Sequence, residues 1–366
     1  MEFALNLPIN SVSFGQTSIA LLREIKQRGL LPPLFPIGPV DLSSQENEDS
    51  LNEWIRFCIS KASKEHSRKT PIVKLWHLNG SLESFSDKQI LISFYELDRP
   101  TQSEVNAVCN NSKVLFSSRY TCDVFNNALP SESKKTSYIP LGFDSANFSQ
   151  SNKKYFADGR ITFTLVGKFE KRKHHAKVLA AWAKRFGNDR KCSLQCAIYN
   201  TFLKPEHNNA LFSQALGGQR YFNINFLGFM SQNKTYNDFL NSGNVVIGMS
   251  GGEGWGLPEF HSVAMGKHSV ILNCSGYKSW ANASNSVLVE PTHKIPVYDG
   301  MFFAENADFN QGNIFDFQED AFINGCEEAI KRVEANRVNE EGLKLQSDFT
   351  YAKTVDALLE EVRLCQ

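Results

Sequence analysis

Residues 251–266, GGEGWGLPEFHSVAMG, constrain this chain more than any other stretch. They follow an apolar run at 244–250 (NVVIGMS) that reads as a buried strand. Gly252, Gly254 and Gly256 bracket one carboxylate, Glu253, and one indole, Trp255. Pro258 suits the first position of a helix and Gly266 its C-terminal stop. A glycine-rich turn that opens a helix exposes backbone N–H groups at the positive end of the helix dipole, which makes a phosphate site. Glu253 in the same turn would repel a phosphate. It is better suited to something neutral and rich in hydroxyls, such as a sugar.

Short apolar runs alternate with amphipathic helical stretches along the whole chain, which argues for an α/β fold with parallel sheets. Strands are expected at 3–7, 72–75, 90–95, 114–117 and 137–139, then at 161–166, 194–198, 224–227, 245–249, 269–272 and 287–289. A loop holding Ser13, Phe14, Gly15 and Gln16 should precede a helix at 17–28 that Gly29 stops. Residues 118–127 read as a helix with one apolar face, and 352–364 as a last helix. The polar stretch 149–154 follows Pro140-Leu141-Gly142-Phe143-Asp144 and reads as a linker, so one domain should span 1–150 and a second 151–345.

A second constellation begins where the strand at 161–166 ends. In Gly167-Lys168-Phe169-Glu170-Lys171-Arg172-Lys173, four cations crowd the start of a helix. Positive charge there opposes the helix dipole, and the C-terminal edge of a parallel sheet is where a ligand crevice forms. The cluster is therefore expected to face an anion rather than only solvent.

Composition narrows the class. The 366 residues contain 39 Lys plus Arg and 39 Asp plus Glu, so no electrostatic footprint for nucleic acid exists. No apolar run is long enough for a membrane span, and the first residues lack the basic start and long apolar core of a signal peptide. The 8 cysteines are scattered, several in strand-like runs, which fits buried free thiols in a reducing compartment; the cytoplasm is the expected location. Cys192 and Cys196 are four apart, yet no second Cys/His pair completes a zinc site.

Glu253-Gly254-Trp255-Gly256-Leu257-Pro258 resembles the donor-binding motif of GT-B glycosyltransferases, specifically the retaining family 4 type. The resemblance implies two Rossmann-like domains facing each other across a cleft, with residues 346–366 forming a helix that packs back toward the first domain. It implies a sugar transferred, with retention, from a nucleotide diphosphate donor to an acceptor hydroxyl, with no cofactor and no metal. By resemblance, Glu253 grips donor-sugar hydroxyls, while Lys168 and Lys173 contact the diphosphate next to Gly167, with Arg172 as an alternative to either. Gly256 and Leu257 would offer backbone N–H groups to the phosphate. Gly228 and Phe229, in Phe226-Leu227-Gly228-Phe229-Met230, would hold the base, mostly through main-chain atoms. The family's second glutamate, eight positions after the first, is His261 here. Imidazole can still hydrogen-bond a ribose hydroxyl; a helix histidine that only packs is the other reading. Glu259 stands two positions early, about 200° away around a helix.

The first domain would bind the acceptor. Gly15 lies in its first strand-to-helix connection, Glu96 follows a buried strand and should face the cleft, and His77 is a weaker candidate for the same face. The chain has no Asp-x-Asp, no Gly-x-Ser-x-Gly, no His-Glu-x-x-His and no Walker loop. Two other readings stay open: a relative with other sugar-nucleotide chemistry, epimerase or phosphorylase-like, and a partner protein that binds nucleotide sugars without turnover. The donor base, the sugar and the acceptor (glycan, protein or small molecule) are not specified, and peripheral membrane contact is compatible with the sequence.

Overall fold

The computed structural model describes residues 2–46, 48–130, 134–151, 153–156 and 159–366. The first half builds a sheet from β1 (Ala4–Pro8), β2 (Leu34–Ile37), β3 (Ile72–Leu75), β4 (Gln89–Ser93), β5 (Lys113–Phe116) and β6 (Thr136–Tyr138). Its order is β2-β1-β3-β4-β5-β6, parallel throughout. The second half builds another from β7 (Ile161–Val166), β8 (Cys192–Ala197), β9 (Ile224–Phe226), β10 (Val245–Gly248), β11 (His268–Leu272) and β12 (Val287–Val289), in the order β12-β11-β10-β7-β8-β9, also parallel. Parallel sheets are covered on both faces, so their strands are near-continuous apolar runs; β1, β4 and β11 are buried along their full lengths.

Helices link the strands: α1 (Ser13–Gln27), α2 (Asp49–Glu65), α3 (Gln102–Asn110) and α4 (Arg119–Ala128), then α5 (His175–Phe186), α6 (Pro205–Ala215), α7 (Asn233–Ser242), α8 (Leu257–Ala264) and α9 (Glu319–Ala335). Both strand orders are doubly wound. Their direction reverses between β1 and β3 in one sheet and between β7 and β10 in the other, and ligands bind outside the carboxyl ends of strands at such points.

Two differences from the sequence reading have local causes. Helix α1 begins at Ser13 rather than after Gln16, so Gly15 lies in its first turn. The preceding loop folds back so closely that a Cβ on Gly15 would collide with the backbone and side chain of Asn10. Strand β2 was not expected because prolines punctuate its sequence. It lies at the sheet edge, where Pro36 interrupts no ladder on the outer side.

Three sets of contacts among the described residues tie the two halves together, in addition to those at the glycine-rich loop and at His261. The C-terminal helix, Tyr351–Cys365, buries Val355, Leu358 and Val362 in the core around the first sheet, and Arg28 of α1 pairs with its Asp356 at 2.6 Å. A strap between β12 and α9 carries an antiparallel hairpin, β13 (His293–Pro296) and β14 (Asn313–Asp316). Val297, Phe303 and Ile314 of this strap share a core with Leu78, Tyr95, Phe116 and Phe125 of the first half. Asp98 accepts from the Asn313 N–H at 2.8 Å and from Lys294 at 3.0 Å, and Glu104 accepts from the Asn310 N–H at 2.7 Å. The third tie is an amide exchange. Gln16 donates to Asn233 at 3.1 Å and accepts from it at 3.0 Å, while the Asn233 N–H donates to the Ser44 carbonyl. Of the stretch 149–154 between the sheets, Ser149 and Ser151 bond to Asn237 and Asn241 of α7; Asn152 lies outside the described residues.

Candidate active site

The ends of β7 and β10, the reversal point of the second sheet, carry both sequence constellations. After β7 the chain makes a short 3-10 turn, Lys171–Lys173, before α5. Gly167 adopts φ +113, and a Cβ there would stand 3.0 Å from the Lys173 side chain. After β10, Gly256 adopts φ +83 as the residue before α8. A side chain on Gly256 would collide with the Tyr277 ring. Left-handed geometry and that close approach both require glycine.

The charged side chains form a chain of contacts. Lys168 Nζ lies 3.3 Å from Glu170, and Glu170 accepts from Arg172 at 2.8 Å. Arg172 reaches Glu253 at 3.0 Å, and Glu253 Oε1 accepts from Lys173 at 2.6 Å. Arg172 also donates to the Gly252 carbonyl, so both its terminal nitrogens are engaged and only Nε lacks a partner. The guanidinium therefore braces the glycine-rich loop rather than presenting an open fork. Burial raises the Glu253 pKa, but the charges of Lys173 and Arg172 outweigh it and leave the carboxyl well below the usual range. Glu253 is held ionised.

Sequence reasoning passed over two members of this cluster. Glu170 stands within the basic run and holds two of its cations, Lys168 and Arg172. Glu259 is not turned away from the site: it is buried beneath the loop, 3.3 Å from where a Gly256 Cβ would be. Its pKa is raised by burial, which the nearby Lys173 charge only partly offsets. The signal was available as a carboxylate in the first turn of a helix whose preceding glycine leaves it room.

The aromatic neighbours of Lys168 were also missed. Its ammonium sits 3.4 Å from the ring centre of Phe302 on the strap and 5.2 Å from that of Phe202, after β8. Phe202 is 70% exposed, a large apolar ring left in solvent at the mouth of this region.

The first sheet closes over the loop. A Cβ on Gly252 would be 2.5 Å from the Glu96 carbonyl oxygen, and one on Gly254 would be 2.8 Å from Phe94 Cβ. Those two glycines thus let the halves of the molecule touch. Glu96 lies against Gly252 through its backbone and Cβ, and burial raises its pKa to about 7. Phe14 packs between His77 (4.3 Å) and Phe94 (4.6 Å) with tilted rings, and the Lys168 charge acts on His77 after the larger effect of burial, both lowering its pKa. Gly15 packs against its own preceding loop and contributes no open face.

The remaining candidates divide. Gly228 and Phe229 follow β9 on the same sheet edge, two strands from β7; Gly228 has open space where a side chain would be, and Phe229 is 53% exposed. Gly256 and Leu257 stand at the start of α8, where first-turn N–H groups have no acceptor within the helix. His261 is placed otherwise. Its Nδ1–H donates to the Leu257 carbonyl at 2.8 Å, and Nε2 accepts the Asp144 N–H at 3.4 Å. The ring lies 4.2 Å from Phe148 and 5.6 Å from Phe143. Nδ1 is tied to its own helix and Nε2 to the joint between the two halves, and burial pushes the pKa down to about 4. A neutral imidazole so engaged has no hydrogen bond left for a ribose hydroxyl.

No protein-family model matches this sequence, and no curated protein does so at significant similarity. Solved structures do match in fold. Sucrose-phosphate synthase from Thermosynechococcus elongatus superposes with a TM-score of 0.67 at 13% identity, covering 99% of both chains. A glycosyltransferase from Rickettsia africae gives 0.68 at 12%, covering 100% of this chain and 98% of its own. HepE of Anabaena, in complex with UDP-glucose, gives 0.64 at 15%, covering 99% of this chain and 100% of its own. The fold is that of the GT-B glycosyltransferases, with two parallel six-stranded sheets. No helix among the described residues is long and apolar enough to cross a membrane.

Proposed function

We propose that this chain is a retaining, metal-independent glycosyltransferase of the family 4 type. It takes a hexosyl group from a nucleotide diphosphate sugar and passes it to an acceptor hydroxyl. The observation that carries the reading is the pairing of an ionised Glu253 with Lys173 at the reversal point of the second sheet, beside the N-terminus of α8. A carboxylate there grips sugar hydroxyls, and the cations and helix terminus take the charge that develops on the departing diphosphate. Residues 1–150 bind the acceptor and 151–345 the donor, with 346–366 holding the two together. Retention follows from attack on the face the diphosphate leaves, with a phosphate oxygen receiving the acceptor proton, as the resemblance implies. The structural neighbour that holds UDP-glucose supports a nucleotide sugar as donor.

The test is transfer and donor hydrolysis measured over a panel of nucleotide sugars, with and without EDTA. Turnover with one donor that survives chelation and is lost in Glu253→Gln is the expected result. A strict need for added divalent cation overturns the metal-independent part, and no turnover with any donor overturns transfer. A second reading, a nucleotide-sugar-binding partner without turnover, is favoured by His261, whose nitrogens are committed to its own helix and to the interdomain joint. Binding without turnover would select it.

A further inference from the structure

Phe202 is the most exposed aromatic ring among the described residues. A single exposed phenylalanine is ordinary on a protein surface. This one stands on a turn that buried amides hold in place. Its N–H donates to the Asn200 side chain at 3.1 Å, and the Leu203 N–H donates to the Asn200 carbonyl at 3.1 Å. Asn200 is buried and donates to the Phe169 carbonyl at 3.1 Å. Asn208, buried as well, accepts from the Asn200 N–H at 2.8 Å and donates to the Asn200 carbonyl at 3.0 Å. The backbone after β8 is thus fixed while the ring it carries is left in solvent.

A second fixed turn meets it from the strap. Asp299 accepts from the N–H groups of Met301, Phe302 and Phe303 at 2.9, 2.9 and 3.0 Å. Phe303 is buried in the core shared with the first half, and Lys171 donates to the Tyr298 carbonyl at 3.0 Å. Phe302 meets Phe202 edge to face, with ring centres 5.3 Å apart. The Lys168 ammonium lies 3.4 Å from the first ring centre and 5.2 Å from the second.

We propose that Phe202 is a stacking platform for the base of a nucleoside diphosphate whose phosphates meet Lys168. The proposal rests on the nucleotide-sugar reading and names the side chain that receives the base. An anion on Lys168 has this ring within a ribose's reach, on the open side of the cation. Phe229, also exposed, follows β9, the neighbour of β8 in the sheet. Both rings therefore rise from adjacent strand ends, about 4.8 Å apart, on the carboxyl edge where a doubly wound sheet opens its crevice. Every base has a π-face, so stacking serves any base, and the choice among bases falls to hydrogen bonds made elsewhere. Phe302 is a positioning residue: it braces Phe202 and receives the Lys168 charge on its own ring.

The test is calorimetric titration of UDP, GDP, ADP and inorganic pyrophosphate into the wild type, Phe202→Ala, Phe202→Leu and Phe202→Trp. Phe202→Ala should weaken all three nucleotides by roughly tenfold and leave pyrophosphate unchanged. Phe202→Leu should recover little of that loss, and Phe202→Trp should retain wild-type affinity. In NMR spectra the uracil H5 and H6 resonances of UDP should move upfield on binding the wild type, through the ring current of Phe202, and not on binding Phe202→Leu. Full nucleotide affinity in Phe202→Ala overturns the proposal. So do equal losses for nucleotides and pyrophosphate, or full recovery in Phe202→Leu, which would reduce the ring to apolar contact. Nucleotide binding by the wild type that ignores Phe202 removes this proposal alone. If no nucleoside diphosphate binds the wild type, the nucleotide-sugar reading fails and this proposal fails with it.

Discussion

Glu253 and His261 lie eight residues apart in one motif, yet they occupy opposite kinds of environment. Around Glu253, charges of both signs alternate through Lys168, Glu170, Arg172 and Lys173. Around His261, the rings of Phe143, Phe148 and Phe260 enclose a neutral imidazole whose two nitrogens bond to backbone. Both residues are buried, and burial alone would push both toward neutrality. Ion partners reverse that for Glu253, and nothing reverses it for His261. The loop end of the motif is thus electrostatically equipped for a ligand, whereas the helix end has become part of the joint between the sheets.

Removing the Glu253 charge should break this contrast most severely. Glu253→Gln leaves Arg172 and Lys173 buried without a shared counter-charge, which costs on the order of 3–5 kcal/mol. Chemical denaturation should show that loss alongside lost turnover, and adding Lys173→Met should recover much of the stability without the activity. Equal stabilities of the single and double variants would mean that the pair is not coupled.

The His261 end is tested by pH. Its folded pKa of about 4 lies below the ordinary 6.5, so the unfolded chain binds the proton more readily between these values. Stability from this group is complete above 6.5 and declines as pH falls toward 4, by up to about 3 kcal/mol. His175, buried and lowered to about 3, adds a loss in the same direction. Denaturation midpoints of wild type and His261→Phe, followed from neutral to mildly acidic pH, isolate its part: the variant should lose the His261 share of the slope and keep that of His175 and the other histidines whose pKa burial lowers. Identical profiles would show that His261 does not titrate on unfolding as described.

A smaller effect is expected where the halves touch. Gly254→Ala places a methyl 2.8 Å from Phe94 Cβ, and relieving that overlap should cost about 1–3 kcal/mol. Small-angle scattering should detect a slight opening, and an unchanged profile with unchanged stability would mean that the loop shifts at no cost. Lys168→Ala should matter least to stability, within about 1 kcal/mol, because its ammonium is partly solvated. Its effect should appear in ligand binding, as about a tenfold weaker affinity for a nucleoside diphosphate, some 1.4 kcal/mol, against little change for the bare nucleoside. Equal losses for both would assign Lys168 to structure alone.

What the sequence determined by itself is what local patterning encodes. Strands β3, β7 and β12 fall where their apolar runs begin and end, and the glycine-rich turn opens a helix because Gly256 can take the left-handed turn before it and Pro258 fixes φ in its first turn. The α/β class follows from that alternation. Tertiary structure decided what side chains at those positions face. Gly252 and Gly254 look in sequence like room for a phosphate, but they admit the backbone of residues nearly 160 positions earlier. Arg172 reads as a free cation until Glu170 and Glu253 close on it. Glu259 appears turned away by helical spacing, yet the missing Gly256 side chain lets it lie beneath the loop. The strap placing Phe302 over Lys168 gives no local signal, because its anchors, Leu78, Tyr95 and Phe116, belong to the other sheet. Backbone conformation is set by neighbours in the chain, so it can be read there. Charge state and exposure are set by whatever the fold brings from afar, and for Glu253 and His261 that is a pair of cations in one case and aromatic rings in the other.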